Sequence, residues 1–304
     1  MKYSSAALKL LILKEYGKLT NSKFYNSYTT IESLENSFTE SVAALEAKYS
    51  AILSRIEAGG ADGFLCFYDP EFPKLPATVK KSALPCLLFY RGDISLLKYE
   101  RNIAIIGLTD IDENISVRER KIVEHLVADK AVIVSGLARG CDTCAHETCI
   151  DNGGKTIAVL PTPLNEIYPA ENQGLANRIV ENGGLLVTEY CSPPSSKYES
   201  IGRFPQRDGL QALFSKAVVL IASYKKGEGD SGSIYAMEMA KACGMGRYAM
   251  QPSVSDKNNP KFGLNSEYLD TRFAEKMPDN TTIKELIANE TYDIDKSEQL
   301  CMFS

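Results

Sequence analysis

This chain is predicted to form a doubly wound, mainly parallel α/β sheet preceded by a small helical domain, and three observations lead there. From Arg101 onward, short and nearly continuous apolar runs alternate with segments of helical period, the pattern of strands buried on both faces. Such an alternation, joined by right-handed crossovers, gives an extended Rossmann-like layer with helices on both sides. The first 58 residues instead space apolar side chains at helical intervals, at Leu8, Leu11 and Ile12 and then at Val42, Leu45, Ile52 and Ile56.

Gly59 and Gly60 close the helical part, which is expected to occupy residues 1–60. Two strands follow, FLCFY from Phe64 and CLLFY from Cys86, with Pro70, Pro73, Pro76 and Pro85 in the connection. The regular part then supplies strands from Ile103, Ala131, Thr156, Gly184, Ala217 and Arg247, so the Rossmann-like domain is expected over 61–262. Residues 263–304 form a C-terminal extension, with one or two helices between 265 and 290 and a poorly ordered tail beyond. In sheets of this winding, ligands lie beyond the carboxyl ends of the strands, where the turns at Gly107, Gly136, Pro161, Glu189 and Ser223 gather.

Composition narrows the class. Apolar residues make up 44% and charged residues 24% of 304, ordinary for a globular protein with a sizeable core. No apolar run reaches the ~20 residues that cross a bilayer, and no signal-peptide cleavage pattern follows the first apolar patch, so a cytoplasmic location without membrane contact is expected. Eight cysteines without framework spacing point to reduced thiols. The net charge of −5 gives no general attraction to nucleic acid, but ten Lys and Arg against six Asp and Glu between Cys191 and Lys261 allow a local basic face.

The strongest chemical signal is VSGLARGCDTCAH, from Val134 to His146. A strand there enters a turn with Gly136 and Gly140 and leaves it as a helix near Asp142. Backbone amides and the helix N-terminus then face outward, a receptive geometry for anions, and Arg139 adds a forked cation. A second glycine loop, KKGEGDSGSI, places Lys225, Ser231, Gly232 and Ser233 before a helix starting near Ile234; its hydroxyls serve either as helix caps or as anion donors. The first Rossmann-like strand ends IAIIGLTD, without a G-x-G-x-x-G fingerprint, so no dinucleotide cofactor is expected. CDTCAH looks like half a zinc site, yet no second pair stands at a workable spacing; no metal is expected and the thiols read as inert. Asp142 and His146, four apart, are placed to share a hydrogen bond on one helix face. Neither a nucleophile elbow nor a phosphoribohydrolase loop signature is present, which argues against an enzyme.

In their order along the chain, YDPEFP (68–73), LPCLLFYRGD (84–93), SGLARGCDTCAH (135–146), GGKTIAVL (153–160), IYPAEN (167–172), ENGGLLVTEY (181–190), FPQR (204–207) and SGSI (231–234) resemble the DNA-processing protein A (DprA, or Smf) family. The helical N-terminal region also resembles the small helical domain of that family. The resemblance implies a non-enzymatic homodimer that binds single-stranded DNA and loads RecA-type recombinase onto it in recombination, natural transformation or foreign-DNA processing. It implies phosphate contacts at Arg139, Lys155, Arg203, Arg207 and Lys225, completed by Ser135, Gly136, Gly140, Ser231, Gly232 and Ser233, with Phe204 or Tyr198 available to stack bases. Three departures stand out. Gly107 is followed by Leu108 and Thr109 where the family has an arginine, Arg207 is followed by Asp208 and Gly209 where it has a second arginine, and prolines 161 and 163 replace a Gly-Thr-Gly turn. The loss of two cations leaves an alternative of another class, a Rossmann-like sensor of a nucleotide-derived ligand.

Overall fold

The computed structural model describes residues 1–256, 258–278 and 283–288. Nine strands make one sheet: β1 (Gly63–Cys66), β2 (Leu87–Gly92), β3 (Asn102–Ile106), β4 (Val132–Ser135), β5 (Lys155–Leu160), β6 (Leu185–Thr188), β7 (Ala217–Leu220), β8 (Gly246–Ala249) and β9 (Glu275–Lys276). Their spatial order is β1-β2-β6-β5-β4-β3-β7-β8-β9. From β6 to β9 every pairing is parallel, whereas β2 joins β6 antiparallel and β1 joins β2 antiparallel. The strand order reverses at β3, which pairs with β4 on one side and β7 on the other. That reversal opens a crevice at the carboxyl ends of these three strands.

The alternation along each central strand explains why the sheet is covered twice. Ala104, Ile106, Val132, Val134, Val218 and Leu220 face a core that also holds Leu210 of α9 (Lys197–Leu213) and Met237 of α10 (Ser233–Ala242). Their neighbours Ile103, Ile105, Ile133, Ala217 and Val219 face a second core with Ile115, Val123 and Leu126 of α6 (Glu113–Ala128) and Ala145 of α7 (Cys141–Asp151). A period of two in fully apolar strands is what burial on both faces requires. α8 (Gln173–Glu181) carries β5 to β6 and adds Leu175, Ala176 and Ile179 to the first core.

At the N-terminus five helices run in sequence, α1 (Ser5–Glu15), α2 (Asn21–Ser27), α3 (Ile31–Glu35), α4 (Val42–Lys48) and α5 (Ser50–Ala58). α1 starts where the Ser4 side chain accepts from the Ala7 amide, and it is buried from Ala6 to Ile12. A helix buried all round must lie inside rather than on a face: its Ala6, Ala7, Leu10 and Leu11 share a core with Phe64 and Leu88 of β1 and β2. The helical spacing read at Leu8, Leu11, Ile12, Leu45, Ile52 and Ile56 corresponds to buried positions, while Val42 is exposed.

Past β8, α11 (Gly263–Asp270) starts two residues before the range 265–290 expected for one or two helices, and α12 (Ile283–Ala288) lies inside it. Between them lies β9, a two-residue strand with no sequence signature. The tail expected to be poorly ordered lies outside the described residues. No helix among the described residues is long and apolar enough to cross a membrane.

Candidate functional site

Three strand exits meet at the crevice. β4 leaves through the turn Gly136–Gly140, where Gly140 takes a φ of +67° and a Cβ would stand 2.3 Å from the Leu108 carbonyl oxygen. Only glycine meets both conditions. The Cys141 amide then donates to that carbonyl at 2.9 Å, tying the start of α7 to the exit of β3. Asn172 clamps the turn from outside, its side-chain amide donating to the Leu137 carbonyl at 2.9 Å and the Thr143 hydroxyl at 2.9 Å. From the third exit, after β7, Asp230 reaches across to Thr109, accepting from its amide at 3.0 Å and its hydroxyl at 2.8 Å.

Arg207, carried by α9, lies directly over the turn: a Cβ on Gly136 would fall 1.3 Å from its Nη1. The glycine there makes room for a guanidinium of this chain. Arg207 is buried, ion-paired with Asp142 at 3.3 Å and Asp208 at 3.1 Å. Burial and the nearby Asp142 and Asp230 carboxylates push Asp208 up to about 6, against the pull of Arg207.

His146 sits underneath, fully buried. The Thr156 hydroxyl has one proton and donates it to the Ile133 carbonyl at 2.7 Å, so His146 Nδ1 must donate to Thr156 Oγ1, 2.7 Å away. The ring is therefore the neutral Nδ1–H tautomer, with Nε2 buried and unpartnered. Burial first and Arg207 second bring its pKa down to about 3. The hydrogen bond expected between Asp142 and His146 does not form. Asp142 instead accepts from the Ala138 amide at 3.1 Å and faces Arg207.

The structure brings Gly136, Arg139, Gly140, Lys225, Ser231 and Gly232 to one edge, with the expected contacts Arg207 and Ser233 buried behind it, and it sets three further residues of the expected set aside. Lys155 begins β5 and so occupies the amino ends of the parallel strands, on the opposite edge, where it donates to the Asn182 carbonyl. Ser135 is buried and its hydroxyl binds the Ile105 carbonyl at 2.7 Å, spanning β4 and β3. Arg203 is also buried. It donates to the Ser192 carbonyl at 3.0 Å, lies 3.9 Å over the Tyr190 ring and pairs with Glu199, so it fastens the start of α9 to the β6 exit.

What remains accessible is a small group. Arg139 keeps 63% of its side chain exposed and forks onto the equally open Glu171. Tyr168, three residues before Glu171, is exposed and meets Phe204 edge-on at 5.6 Å between ring centres. Tyr198, the other aromatic read as a base platform, is 89% exposed. Lys225 and Lys226 are exposed, with no ion pair among the described residues. Ser233, which begins α10 behind Gly232, is buried, and no side chain caps that helix.

The seven described cysteines are free thiols, and burial pushes those of Cys141 and Cys144 up. Beside them Glu119 of α6 is fully buried against the Cys141 and Cys144 thiols, and its pKa is likewise raised, by burial first. Among the described residues no group of three or more His, Cys, Asp or Glu is arranged to hold a metal ion.

The fold and this edge define a Rossmann-like protein whose glycine-bearing turns converge at the reversal of strand order. The sequence model of the DNA recombination-mediator protein A family matches residues 63–271, and the chain belongs to that family. It is 34% identical over 172 residues to DNA processing protein DprA of Streptococcus pneumoniae, a stretch covering 57% of each chain. It is 36% identical over 178 residues to Protein Smf of Synechocystis, covering 58% of this chain and 43% of that protein. The chain thus spans about half the length of the curated relatives it matches. Among solved structures, S. pneumoniae DprA shares the fold with a TM-score of 0.64 at 24% identity over 94% of both chains. DNA processing protein A of Helicobacter pylori, described for its single-stranded DNA binding mode, aligns with a TM-score of 0.61 at 26% identity, over 75% of this chain and 97% of that one.

Proposed function

We propose that this chain binds single-stranded DNA along the carboxyl edge of its sheet and acts, without catalysis, as a mediator of recombination that passes the strand to a RecA-type recombinase. The same reading makes it a cytoplasmic homodimer and divides it into a helical unit (1–60), a Rossmann-like DNA-binding unit (61–262) and a C-terminal extension (263–304). One observation carries it: Arg139, on the glycine turn beside the helix N-terminus of α7, is an open cation of the edge, and the Tyr168–Phe204 pair stands beside the partner of that cation. A charged track next to aromatic faces suits a phosphate backbone with unstacked bases. The described strand-binding mode of the H. pylori relative supports the same ligand class.

Titration of labelled oligo-dT at several salt concentrations tests this. Binding is expected to weaken as salt rises, and Arg139→Ala is expected to lose roughly tenfold in affinity and to flatten the log–log salt slope by about 0.7, one phosphate contact on a single strand. Salt-independent binding, or none at low salt, would remove the DNA reading.

A further inference from the structure

The donors at the strand reversal are already in use. Asp230 Oδ2 holds the amide and hydroxyl of Thr109 at the exit of β3, and Oδ1 takes the Gly232 amide at 3.4 Å before α10. Two backbone amides and a hydroxyl, drawn from both sides of the reversal and backed by a helix N-terminus, form a donor set suited to a phosphate. Here a carboxylate of the chain fills it. The other cations of the edge are treated alike, Arg139 by Glu171 and Arg207 by Asp142 and Asp208. Lys225 and Lys226 are the exception, and they sit on the same loop as Asp230.

That loop projects from the exit of β7. Lys225 to Gly229 are exposed, and Gly227 takes a φ of +86° with open space where a side chain would stand, while Gly229 lies against the Tyr224 ring. Asp230 is anchored at its base, where its own carbonyl accepts from the Tyr224 amide at 3.4 Å and the Ser223 hydroxyl at 3.4 Å. These two long contacts, with the three side-chain contacts, are what hold the carboxylate in place. The Asp208 carboxylate approaches from α9, 3.3 Å from where a Gly232 Cβ would stand, and adds repulsion to the same spot.

We propose that Asp230 is an intramolecular stand-in for a nucleic-acid phosphate. Its carboxylate keeps the Thr109 and Gly232 donors closed, and they pass to a backbone phosphate when the Lys225–Asp230 loop lifts. Asp230 thereby limits how tightly the edge holds a strand. The inference rests on the reading that this edge binds single-stranded DNA, and it locates the affinity control of that edge in one side chain.

The test compares the 304-residue wild-type chain with Asp230→Asn and Asp230→Ala. Asn keeps an acceptor for Thr109 and so guards against a variant that simply loses the loop. Oligo-dT affinity is read by anisotropy at low salt, and the Thr109 and Gly232 amides are followed by NMR during titration with inorganic pyrophosphate. Both variants are expected to bind oligo-dT about tenfold more tightly, with a salt slope steeper by about 0.7, and their two amides to shift at lower pyrophosphate than in wild type. Wild-type binding with unchanged or weaker variants would overturn the role of Asp230 and leave the DNA reading standing. Amide shifts without any oligo-dT binding would support Asp230 and overturn the DNA reading, and absence of both responses would overturn both.

Discussion

Replacing Arg207 with methionine is expected to lower the free energy of unfolding by about 3–5 kcal/mol, because it strands two buried carboxylates without their cation. Arg207 retains 7% of its side-chain exposure, Asp142 9% and Asp208 15%, so water cannot screen the pair that remains. With the guanidinium gone, Asp208 is driven further above its present value of about 6 and takes up a proton near neutrality. The deficit should therefore shrink as pH falls from 7.5 to 5.5, and Asp208→Asn in the same chain should recover part of it. Urea unfolding midpoints at the two pH values measure both effects. A loss under about 1 kcal/mol at pH 7.5 would mean that the two carboxylates reach solvent when Arg207 is removed. Gly136→Ala should produce a similar loss without touching any charge, because its Cβ would displace the guanidinium from between its partners.

Acid should act on two buried groups in opposite directions. His146 has a folded value of about 3 against 6.5, so the unfolded chain takes the proton first. Its contribution is complete above pH 6.5 and is lost as pH falls towards 3, about 5 kcal/mol in all. Asp208 has a folded value of about 6 against 3.8, so the native state takes the proton first, and stability rises by about 3 kcal/mol as pH falls from 6 to 3.8. Glu119 and Glu189, both raised by burial, share the sign of Asp208. The variant comparison isolates one partner: between pH 6.5 and 4, Asp208→Asn should lose about 3 kcal/mol more than wild type, and His146→Gln should lose less. Parallel stability curves for Asp208→Asn and wild type would show that the carboxyl titrates at its ordinary value in the native protein.

The strands were legible because near-continuous apolar runs are a consequence of burial on both faces, and the core alternation of Ile103 to Ile106 follows directly from that. The glycine turn was legible too, since Gly140 answers a backbone demand that the local sequence displays. The charges were not. Arg203 and Arg207 read as surface cations because nothing near them in sequence shows that Tyr190, 13 residues earlier, or Asp142, 65 residues earlier, will enclose them. Asp230 and Thr109 are 121 residues apart and meet only through the strand reversal. Lys155 is different: its place at the start of a strand was visible, and strand direction alone assigns it to the edge away from the crevice. The i, i+4 spacing of Asp142 and His146 was read correctly as helical, but Thr156 and Arg207 offered each side chain a partner from outside the helix.

The two ends of the sheet bear on whether a strand from outside can join it. At one end Lys2 forms a parallel bridge to Gly63, its amide donating to the Asp62 carbonyl and its carbonyl accepting from Phe64, so β1 has backbone groups already engaged from outside. At the other end β9 is two residues long and presents the exposed, charged Glu275 and Lys276. Short, charged or covered margins resist strand addition from a neighbour. Side chains on the helical faces and loops, not the sheet margins, would then carry any contact between copies, and the continuous sheet stays a closed unit within the chain.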